Sequence, residues 1–287
     1  MPDRRTRQHA FQLPVNGSDR FCLLREPADG VRRGCIVHVP AFAEEMNKSR
    51  RMTAWCAREL AAQGFAVLQI DLAGCGDSAG DFGDASWDAW VQDVHAAVEA
   101  VRGPRAGPLW LWGLRAGALL AASALPALPP ETSLLLWHPV VSGQQHLAQF
   151  LRLSVTADAI AVNADRAQTR KLREQLAQGA SLEIAGYRLA PALASGLAAA
   201  TLALPERFSG RVLWMEVVAE ADGGLSPAAL AAMAAMRAAG TDVHASAVNG
   251  PRFWQTVEIE DCPALIDATV ALLVESHEQL DRAAAAV

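Results

Sequence analysis

Lysine, paired cysteines and long apolar runs are all scarce in this sequence. Its only lysines are Lys48 and Lys171, and 25 Lys+Arg against 31 Asp+Glu leave a formal charge of −6 at pH 7. A nucleic-acid partner requires a clustered basic face that displaces phosphate counterions, so that class is excluded. The five cysteines (Cys22, Cys35, Cys56, Cys75, Cys262) are odd in number, widely spaced and without a C-x-x-C pair. Neither a zinc site nor a disulfide framework follows, and no metal or cofactor is expected. The longest apolar stretch, 189–204, is interrupted by Pro191, Ser195 and Gly196, which makes it a poor membrane span. The basic opening MPDRRTRQHAFQL leads into no apolar run, so no signal peptide is read and a soluble, cytoplasmic protein is expected.

Apolar material, by contrast, is plentiful: 52% hydrophobic against 20% charged over 287 residues supports one large α/β core with room for an insertion. The chain opens on a hairpin, HAFQLPV and RFCLLREP, around Asn16 and Gly17, which tolerate the positive φ of a tight turn. From Cys35 onward buried apolar runs alternate with amphipathic helices, the pattern of parallel βαβ units. The strand runs are CIVHV, AVLQI, PLWLW, LLLWHPV, RVLWMEVV and DVHASAV. One helix is predicted over 47–63, with Met52, Cys56 and Leu60 on one face, Asn47 as its N-cap and Gly64 as its stop. A second carries Trp87, Trp90, Val91, Val94, Val98 and Val101 at helical spacing, and a last one starts near Pro263 with His277 on its inner stripe. Between 143 and 208 the alternation stops and helical patterns take over, broken by LEIAGYRL. That segment is read as a helical lid inserted into a core formed by 1–142 and 209–287: a mostly parallel central sheet flanked by helices.

DLAGCGDSAG at 71–80 matches a D-x-x-G-x-G-x-S-x-G loop, whose glycines suit a sharp turn after a central strand. With the order of hairpin, strands, elbow, insertion and final helix, it resembles the α/β-hydrolase superfamily over nearly the whole chain. At finer grain PAFAEEMNKSRRM, WGLRAG and FWQTVEIEDCPALID resemble the exosortase A system-associated hydrolase 2 family. That resemblance implies a bacterial exopolysaccharide and protein-sorting setting, with an acyl carrier protein or a sister hydrolase-like protein as a partner.

In the superfamily a serine nucleophile sits in G-x-S-x-G on a strained strand-to-helix turn. Here the matching residues, 113–117, read GLRAG: both scaffold glycines are present and Arg115 replaces the serine. A guanidinium stays protonated and cannot attack an acyl carbon. Its planar fork suits carboxylate or phosphate, and the helix start beside it favours anions, so Arg115 either recognises an anionic ligand or pairs with an internal carboxylate. Glu44, Glu45, Asp222 and Glu258 are the candidate internal partners.

The rest of the triad is equally incomplete. Asp222 best matches the acid position, although an Asp-Gly turn explains it as well. The loop 249–258, where the base belongs, has no histidine, and His244 lies too early on its strand. His38 opens the oxyanion-type segment His38-Val39-Pro40, in which Pro40 lacks an N–H; a structural histidine is the alternative. His138 with Ser142 forms a displaced base–nucleophile pair or a rigid exit from the strand, and Cys75 is a thiol nucleophile or a small buried hydrophobe. Phe42, Glu44, Lys48 and Trp254 are placed with Arg115 as ligand-binding residues near the strand tips, where open α/β sheets bind ligands. Loss of both nucleophile and base points to a binder of an anionic or acyl ligand, or of a partner. An esterase, thioesterase or acyltransferase with a displaced nucleophile is the alternative.

Overall fold

The computed structural model describes residues 6–103, 107–153, 162–220 and 223–285, with the backbone alone for 162–166, 280, 281 and 283–285. Strands β1 (Thr6–Val15) and β2 (Ser18–Pro27) form the expected hairpin, and Asn16 and Gly17 take φ of 51° and 78° at its tip. The remaining strands of the main sheet are β3 (Gly34–Val39), β4 (Phe65–Ile70), β5 (Leu109–Leu114), β6 (Ser133–Trp137), β9 (Arg211–Val218) and β10 (Asp242–Asn249). The eight strands run in the order β1-β2-β4-β3-β5-β6-β9-β10. Pairing is antiparallel from β1 through β2 to β4 and parallel everywhere else, so six strands point their C-terminal ends at one edge.

Alternate residues of these strands feed two cores, as a period-2 pattern buried on both faces demands. On one face Ile36, Val67, Trp112, Leu135, Trp137 and Met215 meet α1 (Glu44–Ala62) and α8 (Pro263–Ala285). On the other, Val37, Leu68, Leu111, Leu136 and Trp214 meet α2 (Trp87–Val101), α3 (Gly117–Ala124) and α7 (Pro227–Ala238). Burial of Trp110, Trp112, Trp137 and Trp214 puts four indoles in the sheet centre; Trp137 Nε1 donates to Thr269 Oγ1 at 2.9 Å and thereby fixes α8 to β6. His277 is buried on α8 edge-on to Phe65.

The first helix differs from expectation. It begins at Glu44, three residues before Asn47, with Ala43 as N-cap at φ 51° and no side-chain cap. Asn47 therefore lies inside the helix, where its Nδ2 donates to Tyr187 Oη at 2.9 Å. The sharp turn at Ala43 starts the helix early, and Glu44 and Glu45 in the first turn offset the helix dipole in place of a cap.

Between β6 and β9 lie α4 (Gly143–Arg152), α5 (Val162–Ala177), α6 (Pro191–Ala199) and a small hairpin, β7 (Leu182–Ile184) with β8 (Tyr187–Leu189). LEIAGYRL is thus a two-stranded ribbon that turns on Ala185 and Gly186, both at positive φ. This segment is fastened over the strand tips: Tyr187 Oη donates to Glu44 Oε2 at 3.2 Å and Arg188 Nη2 donates to Asp81 Oδ1 at 3.0 Å. Among the described residues no helix is long and apolar enough to cross a membrane.

Candidate functional site

Strand β5 ends at Leu114 and α3 starts at Gly117, so the chain reverses within two residues. Close approach explains the flanking glycines: a Cβ on Gly113 would lie 2.6 Å from Ala118 Cα, and one on Gly117 would strike the Val39 carbonyl. Arg115 sits at the apex with φ 55°, a left-handed conformation that costs a non-glycine residue on the order of 1 kcal/mol or more. Its N–H donates to Trp137 O at 3.0 Å, and its carbonyl accepts from Ala118 and Val140 at 3.1 Å each. The strained elbow is intact. Only its reactive atom has changed.

The Arg115 side chain turns inward, about one tenth exposed, and its Nε donates to Glu45 Oε1 at 3.2 Å. Nη1 donates to the His138 carbonyl at 3.2 Å, and the guanidinium carbon stands 5.5 Å from the centre of the Trp254 ring. Of the four carboxylates expected as internal partners, Glu45 is the one that pairs. Glu44 is exposed and held by Tyr187, Glu258 is exposed, and Asp222 lies outside the described residues. Burial raises the Glu45 carboxyl above its ordinary value, with Arg115 pulling against it. Because Arg115 engages a protein carboxylate, it does not form the floor of an open anion site.

A cavity of about 340 Å³ opens beside this pair. Phe42, Glu44, Lys48 and Trp254, predicted from sequence to bind ligand, all line it, and Arg115 does not. It is completed by Glu45 and Gln255 and, from α4 and its end, by His146, Gln149, Phe150 and Leu153. Those α4 residues were invisible as site residues in the sequence. His146 and Phe150 share a buried stripe at i, i+4 with Leu147 and Leu151, which reads as ordinary core. Phe42 is the hub of the apolar wall, edge-on to Phe150 at 5.0 Å and to His146 at 5.9 Å.

Three polar atoms of this wall are buried without a hydrogen-bond partner of good geometry among the described residues: Glu45 Oε2, His146 Nδ1 and Trp254 Nε1. The Gln255 side chain faces the same Glu45 carboxylate. Burial, with Arg115 adding to it, pushes His146 down to about 3, so its ring is neutral at physiological pH.

The sequence-derived catalytic candidates are scattered. His138, at φ 41°, accepts the Val217 N–H on Nδ1 at 3.2 Å and stacks obliquely on Trp254 at 4.7 Å. Burial, assisted by Arg115 and Arg252, lowers it to about 3. Ser142 caps α4 by accepting the Gln145 N–H at 3.4 Å, and no hydrogen bond joins it to His138 among the described residues. The exit after β6 is therefore rigid, and the pair does not form. His38 is buried edge-on to Trp112; desolvation, with Arg50 adding to it, lowers it to about 3, and its Nε2 has no partner among the described residues. Cys75 is buried, its thiol raised to about 12 by desolvation and by the charges of Asp71 and Asp93, so it is no thiolate near neutrality. His244 pairs with Asp242 at 2.9 Å near the start of β10, at the far end of that strand from the sheet edge.

The glycine-rich loop is structural scaffolding. Asp71 accepts Arg50 Nη2 at 3.1 Å on both oxygens and the Asp77 N–H at 3.0 Å. Beneath it the buried pair Arg20 and Asp93, 2.7 Å apart, ties β2 to α2, and Asp93 Oδ2 also accepts the Ala73 N–H. Among the described residues no group of three metal-ligating side chains is assembled.

The family described as serine aminopeptidase, S33, matches residues 31–202. No curated protein matches the chain. Est1E from Butyrivibrio proteoclasticus, solved with ferulic acid, shares the fold at TM-score 0.62 and 14% identity over 93% of this chain and 98% of its own. A hypothetical protein from Pseudomonas aeruginosa aligns at TM-score 0.65 and 14% identity, covering 95% and 94% of the two chains. A proline iminopeptidase-related protein from Thermus thermophilus aligns at TM-score 0.59 and 18% identity, covering 94% and 99%. At such identities the likeness speaks for the fold, and the fold is the α/β-hydrolase one that the elbow and loop motifs suggest. The family match spans more than half of the sequence and includes the elbow, so the chain belongs to the serine aminopeptidase S33 family of α/β-hydrolases.

Proposed function

We propose that the protein binds an acyl-bearing ligand in the cavity beside Arg115 and does not hydrolyse it. One observation carries this reading: the elbow that should present a nucleophile presents a guanidinium locked to Glu45. A cation held 3.2 Å from a carboxylate has neither the lone pair nor the freedom to attack. No imidazole compensates, since His38, His138 and His146 are each lowered to about 3 by burial and each is seated among structural contacts. The apolar wall of Phe42, Phe150, Leu153 and Trp254 supports an acyl or aryl group as the occupant.

The segment 143–208 serves as the lid over that ligand, since α4 supplies a wall and the β7–β8 hairpin bonds to the first turn of α1. The resemblance of its sequence motifs to exosortase A system-associated hydrolases supports a role for this binding in a bacterial exopolysaccharide or protein-sorting system, in the cytoplasm. There an acyl carrier protein or a sister hydrolase-like protein acts as partner.

The test is chemical labelling of the purified protein with a broad fluorophosphonate and with a thiol probe. Native protein should stay unlabelled by both. Stoichiometric labelling that disappears in Ser142→Ala or Cys75→Ala would replace this reading with a displaced-nucleophile esterase or thioesterase.

A further inference from the structure

We infer that a phosphate or phosphoryl group binds between Arg25 and Arg58, in the groove where α1 crosses β2, apart from the cavity beside Arg115.

Arg25, on β2, is only 6% exposed, yet no carboxylate pairs with it among the described residues. Its Nη1 donates to the neutral Gln69 Oε1, and its Nε is buried without a partner. Nη2 is bonded to nothing among the described residues and is not closed off from solvent, so a ligand can reach the guanidinium there. Gln69 has no second bond to offer, since its Nε2 donates to Thr53 Oγ1 at 3.4 Å. The neighbouring charge is another cation. Burial, with the charge of Arg58 adding to it, lowers Arg25 to about 10, which still leaves it protonated at neutral pH. Arg58 is exposed and is in no ion pair among the described residues.

The local fold explains why the two meet. Arg50, Ala54 and Arg58 recur at i, i+4 and i+8 and so share the face of α1 that packs on β2 and β4. A cavity of about 130 Å³ lies in the same groove, lined there by Phe21, Leu23, Ala54 and Gln69. Asp71, which also lines it, sits beyond the tip of β4, four residues past the Val67 paired with Arg25 in the sheet, and is engaged by Arg50.

A buried cation without a counter-charge is destabilising, and a second cation beside it adds to the cost. An anion in the groove reverses both effects. A phosphoryl group carries about two negative charges near pH 7 and three acceptor oxygens, which matches two guanidinium groups; a carboxylate neutralises only one of them.

The experiment is calorimetric titration of the native protein, in phosphate-free buffer at constant ionic strength set with sodium chloride, with inorganic phosphate, phenyl phosphate and acetate. Both phosphates should bind at least about tenfold more tightly than acetate, the ratio for one charge-assisted hydrogen bond. Arg58→Met, at an exposed position, should weaken both by a similar factor, as should Arg25→Met. Lys171→Met, which removes an exposed cation on α5, should bind them as the native protein does. Tighter binding of phenyl phosphate supports the site with a phosphate ester as its occupant, and tighter binding of inorganic phosphate supports it with the free ion. Absence of phosphate binding, or binding undiminished in Arg58→Met, would overturn the site. Acetate binding as tightly as phosphate would overturn the phosphoryl assignment.

Discussion

The Nε of Arg115 lies 3.2 Å from Oε1 of Glu45, and this contact joins the apex of the β5–α3 elbow to the first turn of α1. Both side chains are largely out of solvent. A buried pair of this kind is most costly when only one partner is removed, since the other is left charged in a poorly solvating place. Arg115→Met should therefore destabilise the protein by about 3 kcal/mol, and Glu45→Met by a similar amount. The double variant should recover most of that loss. Urea denaturation of the four proteins measures the coupling directly; simple additivity of the two single losses would mean that the pair is not coupled.

Restoring the family's serine should not restore chemistry. Arg115→Ser places a hydroxyl on a strained turn, yet no histidine stands ready as base: His138 already accepts the Val217 N–H on Nδ1, and His38 is buried against Trp112. The variant should show no ester hydrolysis above the native protein and should lose stability through the orphaned Glu45. An esterase rate appearing with Arg115→Ser alone would reveal a base that the geometry does not provide.

Ser142 acts as a helix cap. Ser142→Ala should cost about 1 kcal/mol through the lost bond to the Gln145 N–H and should leave ligand binding intact. Thermal denaturation together with calorimetry separates this from a catalytic role, in which stability would hold while any turnover vanished.

Acid should weaken the fold. His38, His138 and His146 are each lowered by burial from 6.5 to about 3, so between those values the unfolded chain binds more protons than the native one. Their contribution is complete above about pH 6.5 and is lost as the pH falls, with a limiting slope of about 1.4 kcal/mol per unit for each ring. The raised Glu45 and Asp93 carboxyls work in the opposite sense, two groups against three. Urea midpoints above pH 7 and near pH 5 test this, and His146→Phe, packing beside Phe42 and Phe150, should make the dependence shallower. A midpoint unchanged between the two conditions would contradict the neutral, buried assignment.

The fold was legible because its signals are local and repeated. Apolar runs such as LWLWGL and RVLWMEVV could only be doubly covered strands, and Gly113 and Gly117 mark an elbow whatever residue lies between them. The site was legible in part. Glu45 was one of four carboxylates that could pair with Arg115, and choosing among them required knowing that Ala43 turns left-handed and starts α1 before Asn47. His146 gave no signal at all, since a histidine on the apolar stripe of α4 is indistinguishable from core until the long connection folds back over Phe42. Ser142 and His138 looked like neighbours in sequence, yet Ser142 spends its hydroxyl on the local Gln145 N–H and His138 accepts the Val217 N–H from strand β9, a long-range contact that spacing does not display.

The most direct measurement is steady-state hydrolysis of an octanoyl thioester and of p-nitrophenyl octanoate by the native protein, freed of contaminating esterases by a final size-exclusion step. A guanidinium held by Glu45 at the elbow predicts no turnover above buffer at any pH at which the fold persists. Turnover that co-elutes with the protein, and that is abolished by substituting a single residue at the strand tips, would contradict it.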